Sequence, residues 1–195
     1  MKLIETMKNL ASQLFSLPED QFIDWKRDPE LEYLVDLDKN ICCGVCLGGS
    51  SLAIESLGRP SGALAGLYCY PTDGLSFFVE EHVVETITIN FTTTDDLPRN
   101  EAFDGKIIVS DQEFKFGSET SDLEIIKILG EPDKYYNDTE GMGIVYFRGN
   151  TDMHFKFDFE KTLLYIALNQ IGDDTNEEDD NSPTSASSQP PSAVG

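Results

Sequence analysis

The sequence predicts an α+β protein made of two tandem units. Each unit is a helix laid on an antiparallel sheet. A helical segment precedes them and a disordered acidic tail follows. Three observations predict this. Leu57-Gly58-Arg59-Pro60 and Leu129-Gly130-Glu131-Pro132 share one turn motif, and Gly130 and Pro132 each lie 72 residues after their counterparts. Apolar residues at helical spacing precede each motif. Three strand-like segments follow each one. The expected boundaries are 1–32 for the helical segment, 33–96 and 97–170 for the units, and 171–195 for the tail.

In the second unit, Leu123, Ile125, Ile126 and Leu129 recur at helical spacing, with Ser121 or Asp122 as the cap. Gly130 supplies a left-handed helix end, and Pro132 cannot continue the helix. Ile144, Val145, Tyr146 and Phe147 form a strand closed by a turn at Gly149-Asn150. Met153, Phe155, Phe157 and Phe159 then alternate with polar residues, the period of a half-buried strand. Residues 163–168 are the last strand. Upstream, 106–109 and 113–116 flank Ser110-Asp111-Gln112 as a hairpin.

The first unit follows the same order more loosely. Leu52, Ile54 and Leu57 make a short helix face. Leu67, Tyr68, Cys69 and Tyr70 form a strand, and Pro71-Thr72-Asp73-Gly74 is turn chemistry. Leu75, Phe77 and Val79 alternate as the next strand, then Ile87, Ile89 and Phe91. Residues 41–47 are the upstream strand. Residues 92–104 read as the linker between units.

A helix ending in Leu-Gly-x-Pro and followed by three antiparallel strands resembles the beta-lactamase inhibitory protein family and the related outer-membrane assembly lipoproteins. Leu57, Gly58 and Pro60, with Leu129, Gly130 and Pro132, carry the resemblance, which covers about residues 33–168. It implies two units in tandem whose concave sheet grips a partner protein. The chain departs from that pattern in lacking a secretion signal and in its cysteine spacing. In overall style the chain is similar to bacterial immunity proteins of toxin–immunity systems.

The net charge is −22, and six of the acids lie beyond residue 170, so residues 1–170 still carry −16. This argues against nucleic acid and anionic membrane as partners. A basic protein, such as a toxin or effector domain, is the attractive alternative because complementary charge speeds encounter. The competing account is that acidity serves only solubility. Residues 1–15 carry an amphipathic stripe of Leu3, Ile4, Met7, Leu10, Ala11, Leu14 and Phe15, without the apolar run of a signal peptide. Ser16 to Glu19 reads as a capping box opening a helix that bears Phe22, Ile23 and Trp25. The expected compartment is the cytoplasm.

Cys42, Cys43, Cys46 and Cys69 are expected to be reduced and packed in strands, Cys43 opposite in parity to Cys42 and Cys46. Cys43-x-x-Cys46 lacks the second pair or nearby histidine that a metal site needs. His82 and His154 stand alone, and no phosphate loop or nucleophile elbow occurs, so neither catalytic residues nor a cofactor are expected.

The candidate partner-binding residues come from two stretches. Residues 60–98 contain no Lys or Arg and hold Tyr68, Tyr70, Phe77 and Phe78 with Asp73, Glu80 and Glu81. Residues 135–141 read as a loop that sets Tyr135 and Tyr136 beside Asp138 and Glu140. Aromatic anchors with carboxylates suit a basic partner. The expected function is a cytoplasmic inhibitor that occludes its partner, most concretely an immunity protein. An acidic adaptor or chaperone-like protein for a secreted effector is the alternative.

Overall fold

The computed structural model describes residues 22–93 and 101–172. The expected helix over 1–15, the capping box at Ser16, and the tail beyond Gly172 lie outside the described residues. Residues 22–24 form a turn, not a helix, closed by the Trp25 amide on the Phe22 carbonyl.

Thirteen strands appear among the described residues. They are β1 Leu34–Asp36, β2 Ile41–Cys42, β3 Val45–Cys46, β4 Gly62–Leu64, β5 Leu67–Tyr70, β6 Leu75–Glu80, β7 Val83–Asn90, β8 Lys106–Val109, β9 Gln112–Phe114, β10 Lys134–Asp138, β11 Gly141–Arg148, β12 Thr151–Phe157 and β13 Leu163–Gln170. One sheet runs β3-β2-β1-β8-β9, with β1 and β8 parallel through Val35 and Ile107. The other runs β10-β11-β12-β13-β7-β6-β5-β4, every pair antiparallel.

This corrects the expected fold. The protein is mostly β, not two helix-plus-sheet units. The β7 and β13 strands pair directly, Ile166 against Ile89 and Leu168 against Ile87, so both halves share one continuous sheet. The helices are minor. Ser51–Leu57 is a 3-10 helix and α1, Asp122–Leu129, is one short α-helix.

The two helices differ for local reasons. Ser121 accepts from the Glu124 amide while Glu124 reaches back to the Ser121 amide, a complete capping box. Ser50 has Ala53 in the corresponding position, so the reciprocal bond is absent. The Ser56 hydroxyl instead donates to the Ala53 carbonyl at 2.8 Å, a local bond that competes with regular helix. Gly58 and Gly130 do share a conformation, φ/ψ of 81°/−164° and 87°/−173°. That is the region reserved for glycine, not the left-handed helix end expected.

A single core joins both sheets. Leu75, Phe77, Ile87, Ile89, Tyr146, Phe155, Phe157, Ile166 and Leu168 line one face of the large sheet. Val35, Val45 and Ile107 of the small sheet, Ile54 and Leu57 of the 3-10 helix, and Ile125 of α1 complete the cluster. Each such side chain contributes roughly 1.5–3 kcal/mol of burial.

The expected strand over 41–47 is instead a tight hairpin. Cys43 and Gly44, at φ +49° and +79°, form its two-residue turn, the geometry that suits right-twisted strands. The hairpin at Ser110-Asp111 uses the same kind of turn, at φ +50° and +59°.

Candidate partner-binding face

Strand alternation gives the large sheet a second face, which buries Val145 and Lys156 but leaves several large apolar side chains in solvent. Register places its residues in rows across the strands. One row runs Leu64, Leu67, Phe78, Thr86, Asn169, Asp152 and Phe147. Its apolar members stay in solvent, with 47% of Leu64, 38% of Leu67, 37% of Phe78 and 47% of Phe147 exposed. The next row runs Cys69, Ser76, Thr88, Ala167, His154, Val145 and Lys134. A third runs Asn90, Tyr165, Lys156, Gly143 and Tyr136.

The third row is a built polar cluster. Gly143 has no side chain, so the Tyr136 ring lies directly over it; a Cβ there would sit 2.3 Å from the ring. Tyr136 packs 6.0 Å from the His154 ring, and the Lys156 ammonium lies 5.4 Å from its centroid. Lys156 is only 1% exposed and donates to both oxygens of Asp138. Burial opposes the Lys156 charge, but Asp138 more than offsets this and the ammonium is held above its ordinary range. The same bond holds the Asp138 carboxyl below its own. Burial pushes the Tyr136 phenol up. His154 Nε2 lies 3.2 Å from Asp152, which also accepts from Asn169 at 2.7 Å.

The structure distributes the eight expected residues among four places. Tyr136 and Asp138 meet on the open face, as just described. Glu80 and Glu81 are exposed at the β6–β7 turn, at the far side of the sheet from β10. Tyr68 and Tyr70 share the parity of Phe77 and Leu75 and therefore face the core. Tyr70 is buried, its hydroxyl donating to the Gly58 carbonyl at 3.0 Å. Tyr68 is half-buried against Trp25, stacked at 6.0 Å, and Asp73 pairs with Arg27 at 2.8 Å. The 22–27 segment thus lies over both residues. Tyr135 is exposed but points to the α1 side, donating to Glu131 at 3.4 Å.

Leu64, Leu67 and Phe147 were missed, together with Lys156 and Tyr165, while Phe78 belongs to the aromatics of the 60–98 stretch and His154 reads in the sequence as an isolated histidine. The signal was present in β6, where Phe78 is a large apolar residue at the polar parity. Among the described residues no three His, Cys, Asp or Glu side chains converge as a metal cluster would. No helix among them is long and apolar enough to cross a membrane.

No protein-family model and no curated protein matches the chain. Among solved structures, the crystal structure of a DUF4309 family protein (YjgB) from Bacillus subtilis subsp. subtilis str. 168 aligns at 13% identity. The alignment covers 87% of this chain and 96% of that chain, with a TM-score of 0.39. A likeness that loose carries neither fold nor function across.

Proposed function

We propose that the protein is a cytoplasmic binding protein that occludes a basic protein domain with the open face of its eight-stranded sheet. The concrete class is an immunity protein set against a toxin domain. One observation carries the reading: the row Leu64, Leu67 and Phe78 leaves three large apolar side chains adjacent and exposed on a sheet face. Such a patch on a folded surface marks an interaction site. The partner's basicity follows from charge complementarity, because residues 1–170 carry −16. Glu80 and Glu81, which follow Phe78 at the end of β6, are the steering charges. Tyr136 and Asp138 extend the contact on the β10 side.

The experiment is affinity capture from the native host with wild type and a Leu67→Asp, Phe78→Asp variant of equal melting temperature. The expected result is a basic protein held by wild type and lost by the variant, and cross-linked by a photoreactive group at Phe78. A partner retained equally by the variant would move the interface off this face.

A further inference from the structure

Cys42 and Cys43 are neighbours in sequence, and a strand would send their side chains to opposite faces. Here they meet. Cys43 is the first residue of a two-residue turn, and its φ of +49° swings its side chain to the side of Cys42. The sulfurs lie 3.9 Å apart, with the Cys42 thiol donating to Cys43. A β-turn position of positive φ favours glycine or asparagine, and a cysteine held there is a backbone cost that needs a reason.

We propose that Cys42 and Cys43 are a redox-active vicinal dithiol that closes to a disulfide when challenged by a low-molecular-weight disulfide. The reaction proceeds in two exchanges. The Cys43 sulfur attacks the small disulfide, forms a mixed disulfide, and releases one small thiol, which takes up the Cys43 proton. The Cys42 sulfur then attacks Cys43 Sγ, closing the ring and releasing the second small thiol with the Cys42 proton. Two protein thiols are oxidised and one small disulfide is reduced to two thiols.

The order of attack follows from the contact between the two sulfurs. The hydrogen bond from Cys42 holds the Cys43 thiol below its ordinary range, and the same bond, with burial, pushes the Cys42 thiol well above it. Cys43 also sits in the turn beside exposed Gly44, whereas Cys42 lies in β2, so Cys43 meets a small disulfide first and Cys42 is the resolving thiol. Both are buried at rest, so reaction requires the hairpin to open. β2 and β3 are two residues each, and β3 is an edge strand, with exposed Gly44 at the turn. Opening must release the Cys43 amide from the Leu34 carbonyl and expose the buried Val45, so local unfolding of the hairpin gates the reaction.

The ring would be strained. Adjacent Cα atoms stand about 3.8 Å apart across a trans peptide, whereas disulfides usually span about 4.4–6.8 Å. Strained disulfides are the labile, reversible ones. The pair is therefore a switch and not a structural staple.

The test equilibrates the full-length reduced protein with glutathione at graded ratios of disulfide to thiol, followed by alkylation and mass spectrometry. The expected result is the joint loss of two of the four thiols, a bridge mapped to Cys42 and Cys43, and full recovery on reduction. Cys42→Ser should stop at glutathione carried on Cys43. As a second readout, the Cys46→Ser, Cys69→Ser variant should bind one phenylarsine oxide, a dithiol reagent, as wild type does. Four alkylatable thiols at every ratio, a bridge involving Cys46 or Cys69, or failure of that variant to take the arsenical would overturn the proposal.

Discussion

The Tyr146 hydroxyl donates to the Gly130 carbonyl at 2.9 Å, tying β11 to the end of α1. Tyr70 does the same to Gly58 at 3.0 Å. Each tyrosine also meets a core phenylalanine edge-on, Tyr146 with Phe155 at 5.8 Å and Tyr70 with Phe77 at 6.0 Å. The two Leu-Gly-x-Pro turns are thus anchored in the same way, although their helices differ and their strands belong to one sheet.

Burial pushes the Tyr146 phenol up to about 12, against an ordinary 10.0. Folding favours the neutral form, so this stabilisation is fully present below pH ~10 and is lost as pH rises through ~12. Burial raises Tyr70 as well. Tyr146→Phe should cost about 1 kcal/mol at neutral pH, the worth of one hydrogen bond. It should also flatten the fall in stability on the alkaline side. Urea unfolding at pH 8, 10 and 11 measures both, and an unchanged alkaline slope would contradict the assignment.

Gly130→Ala should destabilise by about 1–3 kcal/mol, because alanine disfavours that backbone region. No atom lies within 4 Å of the added Cβ, so the whole effect is conformational. Gly58→Ala should cost more, since its Cβ would also sit 2.8 Å from the Arg27 amide nitrogen. Equal midpoints for the two variants would remove the steric part of this account.

Removing one partner of the Lys156–Asp138 pair should be asymmetric. Asp138→Asn strands a buried ammonium, whereas Lys156→Met leaves a carboxylate that is 44% exposed and still accepts from the Glu140 and Gly141 amides. An unpaired buried charge is the costlier outcome. Asp138→Asn should therefore melt at the lower temperature. The reverse order would show that Lys156 is hydrated.

Binding kinetics should separate the surface roles. Glu80→Lys with Glu81→Lys should slow association and weaken its dependence on salt, while leaving dissociation nearly unchanged. Leu67→Asp or Phe78→Asp should speed dissociation at least tenfold, since buried apolar anchors act mainly there. Tyr70→Phe should lower stability without altering dissociation. A stopped-flow or surface-based measurement on the captured partner distinguishes these, and a salt-indifferent association rate would argue against electrostatic steering.

Features that depend on near neighbours are legible in the chain. Ser121 and Glu124 specify their capping box, Gly130 ends α1, and Ser110-Asp111 turns its hairpin because each acts over a few residues. Period-two alternation likewise set the core parity of Phe155, Phe157, Ile87 and Ile89, all buried. How those strands are shared depends instead on long-range pairing. Ile166 pairs with Ile89, 77 positions earlier in the chain, an inter-strand choice that no local pattern encodes. That one pairing turned two expected units into a single sheet with an open face. It also sorted the candidate tyrosines, with Tyr70 inside and Tyr136 over Gly143 outside. Cys42 and Cys43 met for a related reason: the left-handed turn at Cys43 overrode the alternation that would have parted them. Local chemistry specifies segments, while burial of the whole apolar set selects which segments face each other, because a face is buried only once its distant partner is in place.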